Sequence, residues 1–403
     1  MKAHAANTIL GANTILIAGG GIGGLATALA LARRNILSHV LERRQAFSED
    51  GAGIQIGPNG TRILQHLGAA AHLQGLVATP DCLRVLDAET GRDLARLPLG
   101  GWMATRHGAP YWVAHRRDLH AALLTAAEAE PRIRISTGTA VVNAVETSQD
   151  LVAETDGGNY IDGRALVAAD GLWSTLRGRC FAGAPPIYTG KTAARTVLPI
   201  DRVPHSLRSN EVRIWLAPGA HVVQYPVRAG RDMAIVAIFD EPEASTDWST
   251  PCEARWIMDR SRGFPPLLRE LLAEPDAWRK WSLHALSSLP RFAAGRIALL
   301  GDAAHPVLPF LAQGAVLALD DAVTLAERLA NEKSVPAALS IYGEERRARA
   351  ARVAAASRTN GRIYHQSGLM RLARNAALAI APPARLMAGY DWLYGWKARG
   401  SLP

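Results

Sequence analysis

Three glycines, Gly19, Gly21 and Gly24, form a G-x-G-x-x-G loop, and Glu42 lies 18 residues beyond the last of them. These residue types suit a dinucleotide. The first glycine permits a tight turn, the second lets the backbone approach a pyrophosphate, and the third lets a helix pack closely on a strand. Free N–H groups at the helix N-terminus then face the phosphates. A carboxylate at the next strand end can accept hydrogen bonds from an adenosine ribose. Gly23 in the loop and Arg43 beside Glu42 join the cofactor-side candidates. Two more acidic residues follow apolar runs: Asp170, with Gly171, Ser174 and Arg177 after it, and Asp302, with Pro309, Gln313, Gly314 and Ala315 after it. A Gly-Asp before a glycine-containing helix start can hold a polyol chain and cradle a phosphate or ring edge. His221 and Tyr225 are four residues apart, and His221 could handle a proton. Imidazole suits proton transfer because its unperturbed pKa is about 6.5.

The elements that must position these residues are legible as short apolar runs. Thr14–Ala18 reads as a buried parallel strand, and Leu25, Ala28, Leu29 and Ala32 repeat at helical spacing after the glycines. His39-Val40-Leu41 reads as the strand that ends at Glu42. Ala165–Ala169 and Ile297–Leu300 read as two further buried strands, and a long helix is expected from about 315 to 330. Leu83–Asp87 and Arg92–Leu97 flank a glycine turn and read as a hairpin. Between 187 and 284 the pattern changes to antiparallel strands at Arg195–Pro199, Val212–Leu216, His221–Val227 and Met233–Phe239, then a helical stretch from Trp256 to Leu272. His221 and Tyr225 share one face of their strand, because strand side chains alternate. The expected organisation is a cofactor domain over 1–186 with a hairpin insertion near 81–97, a sheet domain over 187–284, a second cofactor segment over 285–375 and a tail over 376–403.

Composition narrows the function classes. At 403 residues, 48% hydrophobic and 20% charged, the chain can bury a large core over two or three domains. Three cysteines (Cys82, Cys180, Cys252) without a C-x-x-C pair suggest neither a disulfide scaffold nor a zinc site, and no metal is expected. The net charge of +9 reads as solubility or as attraction of anions: acidic metabolites, nucleotides, acidic lipid or nucleic acid. No zinc-finger pattern or basic block points to nucleic acid, and no membrane span or signal peptide is expected, so a cytoplasmic location fits. The late arginines Arg346, Arg347, Arg349, Arg352, Arg358, Arg362, Arg371 and Arg374 read as a solvated helix face, and His365 as a surface residue. His305 reads as a structural hydrogen-bonding residue. A homodimer is compatible with the sequence.

The chain resembles the single-component flavoprotein aromatic hydroxylases, which bind FAD and use NADH or NADPH. The glycine loop with Glu42, Asp170-Gly171 with Arg177, and Gly301-Asp302 occur in the family's order, and the likeness runs from Thr14 to about Trp396. His115-Arg116-Arg117-Asp118-Leu119 matches where the family places an arginine near FAD, which implies Arg116. Gly51–Gln55 with Gly57-Pro58-Asn59 matches a flavin-side loop, which brings in Gln55. The resemblance implies bound FAD, a transient nicotinamide cofactor, O2 and a flavin hydroperoxide acting on an ionised phenol. It also implies an α/β fold: a Rossmann-like FAD-binding domain, an interleaved antiparallel-sheet substrate domain and a C-terminal helical region. His221, Tyr225 and Gln313 would stand near the substrate, with Asp81 as a polar substrate-side residue. Pro306–Ala315 and Tyr390–Tyr394 resemble the branch that hydroxylates salicylate, 3-hydroxybenzoate and 6-hydroxynicotinate. The expected substrate is therefore a small aromatic or pyridine carboxylate. A hydroxylase of larger polyketide or quinone-type substrates, or a non-catalytic FAD-binding protein, are the alternatives.

Overall fold

Four-residue apolar runs become central strands here because both their edges are paired and both their faces are covered. In a computed structural model, which describes residues 13–47, 52–147, 150–245 and 249–398, Ile15–Ala18 is wholly buried. It pairs in parallel with Ser38–Leu41 on one side and Ala165–Ala168 on the other. Ile297–Leu299 pairs in parallel with Ala165–Ala168. Ile133–Ser136 and Ala293–Ala294 complete a six-stranded sheet. The helices Ile22–Ala32 and Gly314–Asn331 pack together in its core.

Sheet order does what sequence distance conceals. The strands that end at Gly19, Asp170 and Gly301 are immediate neighbours and run the same way. Their carboxyl ends therefore open side by side, where ligands bind in open α/β sheets.

A second, eight-stranded sheet contains the expected hairpin, Cys82–Asp87 and Asp93–Pro98, together with Ile187–Pro199, Glu211–Ala217, Ala220–Val227 and Asp232–Asp240. The hairpin joins through the parallel pairing of Cys82–Asp87 with Glu211–Ala217. A strand not anticipated, Trp278–Ala285, extends the sheet beyond Ile187–Pro199. Its Arg279 and Lys280 break the apolar run that would have marked it.

The expected C-terminal helical region is present: helices Gly368–Ile380, Pro383–Ala388 and Asp391–Tyr394 fold back on the second sheet. The expectation of a solvated face for the late arginines is corrected: the basic stretch is not wholly solvated. On the 30-residue helix Val335–Tyr364, Arg346 is 1% exposed, and Arg374 on the next helix is 6% exposed, whereas Arg347, Arg352, Arg358 and Arg362 do face solvent. Arg346 and the part-buried Arg349 meet the buried Asp320 and Asp321, with Arg349 Nε 2.8 Å from Asp320 and Arg346 Nε 2.6 Å from Asp321, whereas Arg374 donates to the Ile363 and Tyr364 carbonyls. Gly51, part of the expected flavin-side loop, lies outside the described residues. Among the described residues no helix is long and apolar enough to cross a membrane.

Candidate active site

The glycine loop has the shape its residue types predict. Gly19 has φ +109°, and a Cβ there would lie 2.4 Å from the Ala169 carbonyl oxygen. A Cβ on Gly24 would lie 1.9 Å from the Gly19 oxygen, so the helix sits directly on the turn. A Cβ on Gly21 would meet nothing within 4 Å: it would project into open space, as a phosphate cradle requires. The Glu42 carboxylate accepts from the Gly20 N–H at 2.8 Å and the Arg44 N–H at 2.9 Å. His120 Nε2 lies 2.8 Å from the Gly20 carbonyl oxygen, a second clamp on the loop.

A cavity of about 240 Å³ opens here, lined by Gly19, Glu42, Arg43, His120 and Asp170 among others. Asp170 Oδ1 is buried with no partner, and burial pushes its carboxyl above the ordinary range. An orphaned acceptor beside an open cradle fits the polar half of a dinucleotide. Arg177 donates to the Ala303 and Leu172 carbonyls at 3.0 and 2.8 Å, tying the Asp170 segment to the Gly301 turn.

The next cavity, about 350 Å³, shares Gly21, Ala169 and Gly171 with the first. The loop side contributes Gly23, Asp302, Pro309, Gly314 and Ala315, and Gln55 and Arg116 face it as well. Burial raises the Asp302 carboxyl and lowers the Arg116 guanidinium, each partly offset by the other's charge. The opposite wall is one face of the second sheet, carrying His221, Val223 and Tyr225 at alternate positions and Arg195 in register with Val236. Arg195 packs over the Trp281 ring at 5.1 Å, its Nε has no hydrogen-bond partner, and burial lowers it. A planar, partly polar group with anionic or carbonyl edges fits between the glycine loop and this face.

A third cavity, about 530 Å³, is mostly apolar and is walled by the second sheet, the Pro309–Ala312 turn and the C-terminal helices. Its polar atoms come from Gln55, His221, Asn360 and several tyrosines. Tyr111 donates to Gln55 Oε1 at 2.7 Å, and Asn360 Nδ2 lies 3.2 Å from the Tyr390 hydroxyl. His221, Gln55, Val223, Pro309 and Ala312 line both this cavity and the preceding one. His221, 2% exposed, therefore stands where the two meet.

A family model described as an FAD binding domain matches residues 12–357. The chain belongs to this FAD-binding family. The flavoprotein is 36% identical over 389 residues to a 3-hydroxybenzoate 6-hydroxylase of Polaromonas naphthalenivorans (strain CJ2), covering 96% of this chain and 97% of that protein. It is 35% identical to a 3-hydroxybenzoate 6-hydroxylase of Klebsiella oxytoca, covering 96% and 98%. It superposes on a salicylate hydroxylase substrate complex with a TM-score of 0.82 and 26% identity, covering 96% of each chain. FAD is thus the cofactor of this flavoprotein.

The flavoprotein brings together most residues singled out from sequence, but not all in the expected places. Tyr225 lines the cavity beside the glycine loop and not the apolar one. Alternation predicted its face correctly, yet four residues along a strand is about 13 Å, enough to reach a different cavity. Gln313 lines neither cavity: it is buried, and its Oε1 accepts from Asn59 Nδ2 at 3.3 Å. Asp81 is exposed at the base of the hairpin and lines neither cavity, its backbone being used to pair with Asn210 and Leu99. His365 is not a surface residue: its side chain is 5% exposed and meets His221. His305 is structural, with Nε2 2.5 Å from Asp321 Oδ2. Arg195, His120, Asn360 and Tyr364 escaped the sequence reading because no local pattern surrounds them. The orphaned Arg195 became visible only once the sheet placed it on the cavity wall.

Proposed function

We propose that this flavoprotein hydroxylates a small hydroxylated aromatic carboxylate, of the 3-hydroxybenzoate or salicylate type, using NAD(P)H and O2. The observation that carries this is His221 on the wall shared by the cofactor-side cavity and the apolar cavity. Bound FAD, reduced by NAD(P)H, supplies the oxygen-activating chemistry; the chain supplies everything around it. Gly21, Glu42, Asp170 and Asp302 would hold the cofactor. The apolar wall of the third cavity excludes water and stacks the ring. His221 takes the phenolic proton, which makes the ring more nucleophilic ortho and para to the oxygen. Arg195, a half-buried cation whose Nε–H is buried without a partner on the same sheet face, is assigned to the carboxylate.

Two observations support a second reading, a larger neutral phenol. Among the described residues no Lys or Arg lines the apolar cavity, and its volume of about 530 Å³ is generous for one ring. A cavity of about 150 Å³ already holds benzene.

The test is substrate-stimulated NAD(P)H oxidation with product identification, over 3-hydroxybenzoate, salicylate, 6-hydroxynicotinate and neutral bicyclic phenols. Stimulation by an acid with oxygen entering its ring supports the first reading, and stimulation by the bicyclic phenols alone supports the second. His221→Ala should lose on the order of a hundredfold in hydroxylation rate, keep FAD, and release peroxide in place of product.

A further inference from the structure

His221 is not an isolated base. Its Nδ1 lies 2.8 Å from His365 Nε2, and His365 Nδ1 lies 2.8 Å from Asp240 Oδ1. The three groups come from three elements: the strand Ala220–Val227, the C-terminal end of the helix Val335–Tyr364, and the end of the strand Asp232–Asp240. Exposure rises along the row, from 2% for His221 to 51% for the Asp240 side chain. The row begins in the apolar cavity and ends in solvent.

We infer that His221, His365 and Asp240 form a proton relay that carries the substrate's phenolic proton from the cavity to bulk water. The inference rests on the reading of the cavity as a phenol hydroxylation site and makes His365 and Asp240 positioning and relay groups for it.

The tautomers follow from the partners. Two groups face His365 Nδ1: Asp240 Oδ1 at 2.8 Å, which only accepts, and Lys191 Nζ at 3.1 Å, which only donates. Lys191 is already paired with that carboxylate oxygen, and the shorter contact is to the carboxylate, so His365 carries its proton on Nδ1 and presents the Nε2 lone pair to His221. His221 therefore carries its proton on Nδ1, leaving the Nε2 lone pair for the phenol. In the transfer, the phenolic O–H gives its proton to His221 Nε2. His221 Nδ1–H passes its proton to His365 Nε2, and His365 Nδ1–H passes its own to Asp240, which releases it to water. One proton leaves the cavity, and both rings stay neutral with their tautomers exchanged. Reprotonation of the product oxygen by the reverse path restores the start.

The surroundings explain why a relay is needed. Burial holds His221 well below the ordinary histidine value, with His365 and Lys191 pushing the same way and Asp240 opposing. Phe310 and Tyr364 pack their rings on it at 5.5 and 5.3 Å. An imidazole so placed accepts a proton but cannot keep the charge, so the proton must move on. His365 is lowered by burial, with Asp240 opposing and Lys191 and Arg374 adding to the lowering. Lys191 also pairs with Asp240, which His365 and Lys191 together hold below the usual carboxylate range against its burial. Asp240 is thus charged and able to accept transiently.

The test uses the FAD-loaded enzyme and 3-hydroxy-4-nitrobenzoate, whose phenolate absorbs in the visible, with a pH-indicator dye to follow proton release on rapid mixing. His365→Asn should slow phenolate formation and proton release together by about tenfold or more, with added imidazole restoring part of the rate. FAD content and probe affinity should stay within about twofold of wild type. Asp240→Asn, at an exposed position that does not threaten folding, should slow both signals in the same direction by a smaller factor, because water can replace its carboxylate. Wild-type rates in both variants overturn the relay while leaving the reading of the site intact. A wild-type enzyme that ionises neither this probe nor the aromatic acids it turns over overturns that reading, and the relay with it.

Discussion

Arg346 Nε lies 2.6 Å from Asp321 Oδ1, and both side chains are almost wholly buried. The other Asp321 oxygen receives the Gly301 N–H at 3.0 Å and His305 Nε2 at 2.5 Å. One ion pair between two helices thus fixes the turn that presents Asp302 to the cofactor cavity. Removing one partner leaves an uncompensated buried charge, which typically costs about 3–5 kcal/mol. Asp321→Ala should lower the unfolding free energy by about that amount in urea titrations and weaken FAD retention. Burial alone would raise the Asp321 carboxyl, but His305 and Arg346 outweigh it and hold it at about 2. Since an unfolded aspartate titrates near 3.9, its contribution is complete above about pH 4 and is lost as pH falls towards 2. Wild type should lose stability across that window more steeply than the variant.

The glycine loop gives a paired prediction. Gly21→Ala adds a methyl to open space, so the FAD-free protein should melt as wild type does while its FAD affinity falls by about tenfold or more, about 1.4 kcal/mol. Gly24→Ala places a methyl against the Gly19 oxygen, so the FAD-free protein itself should melt earlier. Flavin-fluorescence titration and thermal unfolding of both variants separate a ligand position from a packing position. Equal melting losses in the two would remove Gly21 from the cradle.

Arg195→Met keeps the packing over Trp281 and removes the charge. KM for an aromatic acid should rise by about tenfold or more, since charge-assisted hydrogen bonds are worth about 1.5–3 kcal/mol. Turnover of the matching neutral phenol should change little. An unchanged KM for the acid would move its carboxylate elsewhere, towards Asn360 and Tyr390.

His221 is buried neutral, below its unfolded value of about 6.5. The unfolded chain therefore binds a proton there that the folded chain refuses, so stability is complete above about pH 6.5 and falls as pH drops below it. The limiting slope is about 1.4 kcal/mol per pH unit for one such group. His221→Asn should flatten the wild-type slope between pH 7 and pH 5 by up to that amount. His39, lowered to about 4 by burial and Arg134, and the buried His120 keep part of the slope in both proteins. Equal slopes would show that His221 does not stay neutral in the folded state.

The cofactor chemistry was legible because each unit is continuous in the chain. A strand, its glycines or acid and the following helix lie within a few residues of one another, and the backbone geometry they need leaves a local signature. The antiparallel strands and the shared face of His221 and Tyr225 were legible for the same reason, since period-two alternation is local. What stayed hidden depends on which surface meets which. His365 stands 144 residues from His221 in sequence, and only the path of the Val335–Tyr364 helix past the ends of two central strands turns it inward. Arg346 and Arg349 look like their exposed neighbours until the helix carrying Asp320 and Asp321 packs beside them. Gln313 sits at the expected spacing, yet its side chain turns to Asn59 because a buried amide must find a partner.

By itself, then, the chain's order of residues determined a dinucleotide-binding α/β unit, its glycine loop, its acidic strand ends and a strand face bearing His221. Tertiary structure alone decided that the strand ends at Gly19, Asp170 and Gly301 open at one place, that His221 stands between two cavities, and that its proton has a path to solvent. Local spacing fixes which way a side chain points from its own backbone. It carries no information about what another element, hundreds of residues away, will set against it, because burial and pairing are settled only when the whole core closes.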